Sequence, residues 1–244
     1  MKIKKYKFLI FFSLIGLNIF STCPPAYSSE IVFVWIDVTN SYIGYDNLGK
    51  LINYKEWAVK DLSSGIARII SGKNFRLYWK NYYFVIGKIT GRQKGYDKLY
   101  EFPLKGNKWS EIMQILNNLE NIPIEKYSEN MTDIYGTYEY MARYLSKFKK
   151  PPSVRAIYYS DMIHELNRPK PNPESLNVLK GAKITAIFCQ GEEYNEKLIA
   201  ENFNRFQEQV NFLKDIGVDF FYYEPPGVSY QIYGETYLEK ALKR

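Results

Sequence analysis

Cysteine and histidine are almost absent from this chain, with two Cys and one His in 244 residues. Cys23 stands in the N-terminal segment and Cys189 inside ITAIFC, so loss of that segment leaves no partner for an intramolecular disulfide. The apolar neighbours of Cys189 make it a small buried hydrophobe rather than a reactive thiol. His164 lies near Ser160 and Asp161, but residues this close in sequence do not present nucleophile, base and orienting group at the required angles. No Gly-x-Ser-x-Gly elbow occurs either, so a hydrolase triad is rejected and His164 reads as a loop histidine. Internal repeats, low-complexity tracts and linkers long enough to mark a domain boundary are also missing.

The longest apolar run, 8–20, falls short of the ~20 residues that a bilayer-spanning helix needs. It follows Lys2, Lys4, Lys5 and Lys7 and precedes Pro24-Pro25, and Ala26-Tyr27-Ser28 then places small residues where a leader is cut. Residues 1–28 therefore read as a signal peptide and 29–244 as the mature chain, exported to the periplasm or secreted. Phe20-Ser21-Thr22-Cys23 offers a second processing route, lipid attachment at Cys23, and matches the required box less well. The leader carries four of the 33 basic residues and none of the 26 acidic ones. The mature chain is thus only slightly basic, and charge gives no argument for nucleic acid as a partner.

Five short apolar runs recur at 31–36, 82–89, 154–159, 184–189 and 218–223. Rich in β-branched and aromatic residues, they read as strands buried on both faces, as parallel sheets require. Helical patterns fill the intervals at 54–71, 109–119, 134–148 and 192–214, and YLEKALKR closes the chain with a short one. In the longest helix Leu198, Phe203, Phe206, Val210 and Leu213 form the apolar stripe, and Gly217 is placed to cap it. The segment 95–103 follows its predecessor too closely for a crossover helix and is expected as an antiparallel edge strand. The Pro-rich 164–175 reads as a surface loop. This alternation predicts a three-layer αβα, doubly wound, Rossmann-like α/β fold in one domain.

In an open α/β sheet ligands sit outside the carboxyl ends of the strands, where strand order reverses. IVFVWIDVTNSY (31–42) ends its first strand in oxygens at alternate positions, Asp37, Thr39 and Ser41. A hard cation such as Mg²⁺ takes six oxygens and keeps some as water. Asp, Thr and Ser after a strand are also what a turn or a helix N-cap uses. Two further segments add to them: Thr132 in MTDIYG (131–136), opening a helix, and Asp161 in YYSDM (158–162), ending a strand.

Asp-x-Thr-x-Ser, then Thr-Asp-Ile-Tyr-Gly, then Ser-Asp after an apolar strand resembles the metal-ion-dependent adhesion site of the von Willebrand factor A-like domains, over nearly all of the mature chain. The resemblance implies strand order 3-2-1-4-5-6 with the third strand antiparallel, which brings Asp37 beside Asp161. It implies direct ligation of Mg²⁺ or Mn²⁺ by the hydroxyls of Thr39 and Ser41. Thr132 would ligate directly or through water, and Asp37 and Asp161 through bridging waters. Neutral ligands leave the cation underneutralised, so the implied act is binding of a protein partner that presents Asp or Glu. The chain departs from the family pattern in four places: Thr39 where serine is commoner, a long stretch between Ser41 and the first helix, few glycines in the threonine loop, and Met162 where glycine is frequent. Asp133 reads as a helix N-terminal carboxylate rather than a further metal group.

Other chemistries fit less well. A metal-dependent hydrolase or phosphoryl-transfer enzyme on the same fold would need a general base, and none stands near these ligands. A haloacid-dehalogenase-type phosphatase needs a second acid at the position of Thr39. The aromatic and basic stretch 76–102 reads as a hairpin with one buried face rather than a platform for single-stranded nucleic acid. The sequon at Asn130 would crowd Thr132 and is taken as accidental. A scaffold that keeps the motif without metal is the remaining alternative.

Overall fold

The computed structural model describes residues 30–39, 43–45, 51–73, 77, 80–89, 96–104, 109–121, 132–164, 168–187, 196–223 and 234–244. The elements run β1 (Glu30–Asp37), β2 (Ile43–Tyr45), β3 (Leu51–Asn53), α1 (Tyr54–Ile70), β4 (Tyr82–Ile89), β5 (Tyr96–Pro103), α2 (Trp109–Glu120) and α3 (Ile134–Leu145). They continue with β6 (Ser153–Tyr159), a 3₁₀ helix (Pro173–Leu179), β7 (Lys183–Ile187), α4 (Glu196–Ile216), β8 (Asp219–Tyr223) and α5 (Tyr237–Lys243). Six strands form one sheet in the order β5-β4-β1-β6-β7-β8, and β2 and β3 form a separate small hairpin. Counted within the large sheet alone, the order is 3-2-1-4-5-6. Every neighbouring pair is parallel except β4 with β5. The fold is the three-layer α/β arrangement that the sequence predicts, with the antiparallel strand at the expected edge.

The central strand explains the layering. Every residue of β1 is buried, and alternation sends successive side chains to opposite faces. Ile31, Phe33 and Trp35 enter one core with Tyr138, Met141 and Phe206 from α3 and α4. Val32, Val34 and Ile36 enter the other with Leu62 and Ile66 of α1 and Leu238 of α5. At the amino end of the sheet the Arg155 guanidinium donates to Glu30 Oε1 at 3.0 Å and to the Ala241 carbonyl at 2.8 Å, tying β1, β6 and α5 together. Both charges are buried there, and each is compensated by the other.

On the α1 side one glycine is required by close approach. A Cβ on Gly65 would lie 2.7 Å from both Leu238 Cδ2 and Thr236 Oγ1, so α5 rests directly on the α1 backbone. Gly65→Ala is expected to destabilise the domain by about 1–3 kcal/mol through overpacking, even though alanine favours helix. A urea midpoint equal to or above that of the parent chain would contradict this packing.

Several boundaries differ from the sequence reading. α3 stops at Leu145, three residues early, where the Ser146 N–H bonds the Ala142 carbonyl at 3.0 Å and the Ser146 hydroxyl bonds the Arg143 carbonyl. In α4, Phe206 and Leu213 are fully buried, but Phe203 is 45% exposed and lies off the apolar stripe assigned to it. Gly217 does cap α4, with φ +89° and its N–H on the Lys214 carbonyl. The end of the Pro-rich segment opens the 3₁₀ helix, which begins at Pro173 and buries Leu176 and Leu179 beyond it. Cys23, Cys189 and the leader lie outside the described residues.

Candidate metal centre

β1 and β6 run parallel with Ile36 opposite Tyr159. The next residue on each chain is therefore Asp37 beside Ser160, at the carboxyl edge and at the point where strand order reverses. The Ser160 hydroxyl donates to Asp37 Oδ2 at 2.8 Å. Thr39 turns back on the same carboxylate, its N–H 2.9 Å and its hydroxyl 2.6 Å from Asp37 Oδ1. Thr39 Oγ1 lies 3.1 Å from Thr132 Oγ1. A hydroxyl has one proton, and that of Thr39 is given to Asp37, so Thr132 is the donor of this pair. Asp161 follows Ser160 directly and accepts the Ile163 N–H at 3.0 Å.

The structure thus gathers Asp37, Thr39 and Thr132 into one hydrogen-bonded group, with Asp161 one residue from the Ser160 that joins it. Ser41 lies outside the described residues. Ser160 is the member of the network that sequence reasoning left without a role. Its signal is positional, because a hydroxyl just past a buried strand faces whatever the neighbouring strand places at the same level.

Electrostatically the group is unusual. Asp37, Thr132 and Ser160 are fully buried, and Thr39 and Asp161 nearly so. Asp37 receives its hydrogen bonds from two neutral hydroxyls and one amide. Burial pushes its carboxyl from the usual 3.8 up to about 6, more than these bonds pull it down. Among the described residues no three His, Cys, Asp or Glu side chains gather at one point, so any cation here would be held by hydroxyls together with carboxylates. An all-oxygen donor set of this kind suits Mg²⁺ or Mn²⁺.

Local backbone geometry fixes the second carboxylate. Met162 has φ +59°, in the left-handed region where glycine is at ease and other residues are strained. Its N–H bonds the Ser160 hydroxyl at 3.0 Å, and its side chain is buried in the core beneath α3. This chain thus keeps a left-handed conformation with a methionine that is anchored by packing.

Asp133 is the N-cap of α3, its Oδ1 accepting the Gly136 N–H at 2.9 Å, the role read from the sequence. His164 is a loop residue, as the sequence reading has it, and its side chain is largely buried. Its ring lies 4.0 Å from that of Tyr135 and its Nδ1 3.7 Å from Asp133 Oδ1, because the chain after Asp161 folds back over the start of α3.

No family model and no curated protein matches the chain. Among solved structures it is similar to the pilus adhesin SpaC from Lactobacillus rhamnosus GG in its open conformation. That match has 11% identity and a TM-score of 0.44, and covers 81% of this chain and 28% of the adhesin. A second crystal structure of SpaC gives 11% identity and a TM-score of 0.45, covering 78% of this chain and 30% of the adhesin. The chain spans less than a third of that protein's length.

Proposed function

We propose that this chain is an exported, adhesion-type interaction domain that binds one divalent cation, Mg²⁺ or Mn²⁺, at the carboxyl ends of β1 and β6. The observation that carries the reading is a buried carboxylate, Asp37, with only neutral donors, beside two hydroxyl oxygens 3.1 Å apart. That separation is close to the edge of an oxygen octahedron around Mg²⁺, roughly 3.0 Å for bonds of ~2.1 Å.

In this reading Thr39, Ser41 and Thr132 provide hydroxyl ligands, and Asp37 and Asp161 provide negative charge and orient ligands or waters. Ser160 holds the Asp37 carboxylate in place. A cation bound there supplies an open coordination position for an Asp or Glu side chain of a partner protein. The chain's own contribution is to keep that position at the rim of a rigid sheet, with neutral oxygens that leave the cation's charge for the partner.

Calorimetric titration of residues 29–244 with Mg²⁺ and Mn²⁺ tests this directly. One saturable site in the parent chain, lost in Asp37→Ala and Ser41→Ala while circular dichroism is unchanged, is the expected result. A folded parent chain that takes up neither ion would refute the reading and leave a metal-free scaffold.

A further inference from the structure

The residues on either side of the proposed site are joined by an ionic clamp that the ligand set does not include. Asp133 follows Thr132 directly and is 1% exposed as a side chain. Its Oδ1 caps α3, and its Oδ2 accepts Arg168 Nη1 at 2.9 Å. The other arm of the same guanidinium, Nη2, lies 2.7 Å from Glu139 Oε1, further along α3. His164 Nδ1 approaches Asp133 Oδ1 at 3.7 Å. Arg168 and His164 both belong to the chain that leaves Asp161. The start of α3, which carries Thr132, is therefore tied to the segment that carries Asp161 through Asp133.

We infer that Arg168 is a positioning residue for the cation site, acting through Asp133 to fix the Thr132 hydroxyl relative to Asp161; this rests on the cation-binding reading above. Three features support the assignment. The fork of the guanidinium meets two carboxylates six residues apart, one at the N-cap of α3 and one within it, which fixes both the height and the rotation of α3 against the incoming loop. Asp133 is at once the helix cap and the neighbour of the hydroxyl ligand, so a shift at its carboxylate moves Thr132 with it. The hydroxyl of Thr132 in turn hydrogen-bonds Thr39, so the displacement reaches the ligands on β1. Groups that orient metal ligands in this way alter affinity without touching the ion.

The test compares Mg²⁺ titrations of the parent chain with those of Arg168→Gln, Arg168→Lys, Asp133→Asn and the double variant Arg168→Gln/Asp133→Asn, alongside thermal unfolding of each without cation. Arg168→Gln is expected to weaken Mg²⁺ binding about tenfold or more, the range for loss of a group that orients a ligand. Arg168→Lys keeps the charge but can meet only one of the two carboxylates and recovers part of the affinity. If Arg168 works through Asp133, the double variant binds Mg²⁺ no more weakly than Asp133→Asn alone. A purely structural arginine would instead lower the unfolding temperature and leave the Kd unchanged in Arg168→Gln or Arg168→Lys, and that result overturns the inference while the cation site stands. Fully additive losses in the double variant overturn it as well. Absence of binding in the parent chain is a separate outcome, refuting the cation reading and this assignment with it.

Discussion

Asp37→Asn is expected to make the cation-free domain more stable and to abolish binding at the proposed cation site, two effects of opposite sign from one atom. Burial holds the Asp37 carboxyl at about 6 against its ordinary 3.8. A displacement of that size corresponds to about 3 kcal/mol of folding free energy lost when the group is ionised. Asparagine removes the charge, keeps an acceptor for Thr39, and turns its amide towards Ser160, which can then accept. A net gain of about 1–3 kcal/mol at pH 7 in urea unfolding with chelator is the expected outcome. The parent chain has its own pH signature. Folded Asp37 takes up a proton where the unfolded chain does not, so this group adds stability as pH falls from above 6 towards 3.8. Below 3.8 the gain is complete. Binding at the proposed cation site moves the other way, since it draws on the negative charge of the carboxylate, and is expected to weaken as pH drops through 6. Equal stability of the two proteins at pH 7, or cation affinity independent of pH between 5 and 7, would show that Asp37 is not the buried charge described.

The second large effect lies away from the site, at Asp61 on α1. Its Oδ1 accepts the Tyr237 N–H at 2.9 Å, and its Oδ2 accepts the Leu238 N–H at 2.9 Å and the Tyr159 hydroxyl at 2.8 Å. One carboxylate thus serves the first amides of α5 and a buried phenol at the end of β6. α5 has its own capping box, with Thr236 and Glu239 exchanging bonds, yet that device leaves these two amides to Asp61. Burial raises the Asp61 carboxyl above its usual range, and the three donors oppose the shift. Asp61→Ala removes the acceptor and leaves two buried donors and one half-buried donor behind, a loss of about 3–5 kcal/mol at roughly 1–3 for each unsatisfied group after partial relaxation. Chemical denaturation measures it, and a loss under 1 kcal/mol would mean that water reaches these donors.

Much of the architecture is legible in the sequence because β1, β4 and β6 are buried on both faces and must be written as unbroken apolar runs. The antiparallel β5 is legible for a simpler reason, since too few residues precede it to build a crossover. What escaped is short or nonlocal. The strands β2 and β3 have three residues each, fewer than a period needs to show itself. The 3₁₀ helix did announce itself in Asn172-Pro173-Glu174, an N-cap with proline at the first position and an acid behind it. The surrounding prolines masked that signal as loop. In the candidate site, Asp37, Thr39 and Thr132 could be named from motif spacing. Ser160, Arg168 and the buried position of His164 depend on strand register and on how the chain folds back after Asp161, which no local pattern encodes.

The pairing of β1 with β6 has a consequence for how the chain acquires its site. Asp37 and Ser160 are separated by 123 positions, and β1 is flanked on its other side by β4, also distant in sequence. Contacts of such long range form slowly, because a large loop must close before any of them contributes. A chain interrupted before β6 leaves β1 without one of its two neighbours and has neither Ser160 nor Asp161. Uptake at the proposed cation site would therefore report that β1 and β6 have paired, since neither strand alone holds both Asp37 and Asp161.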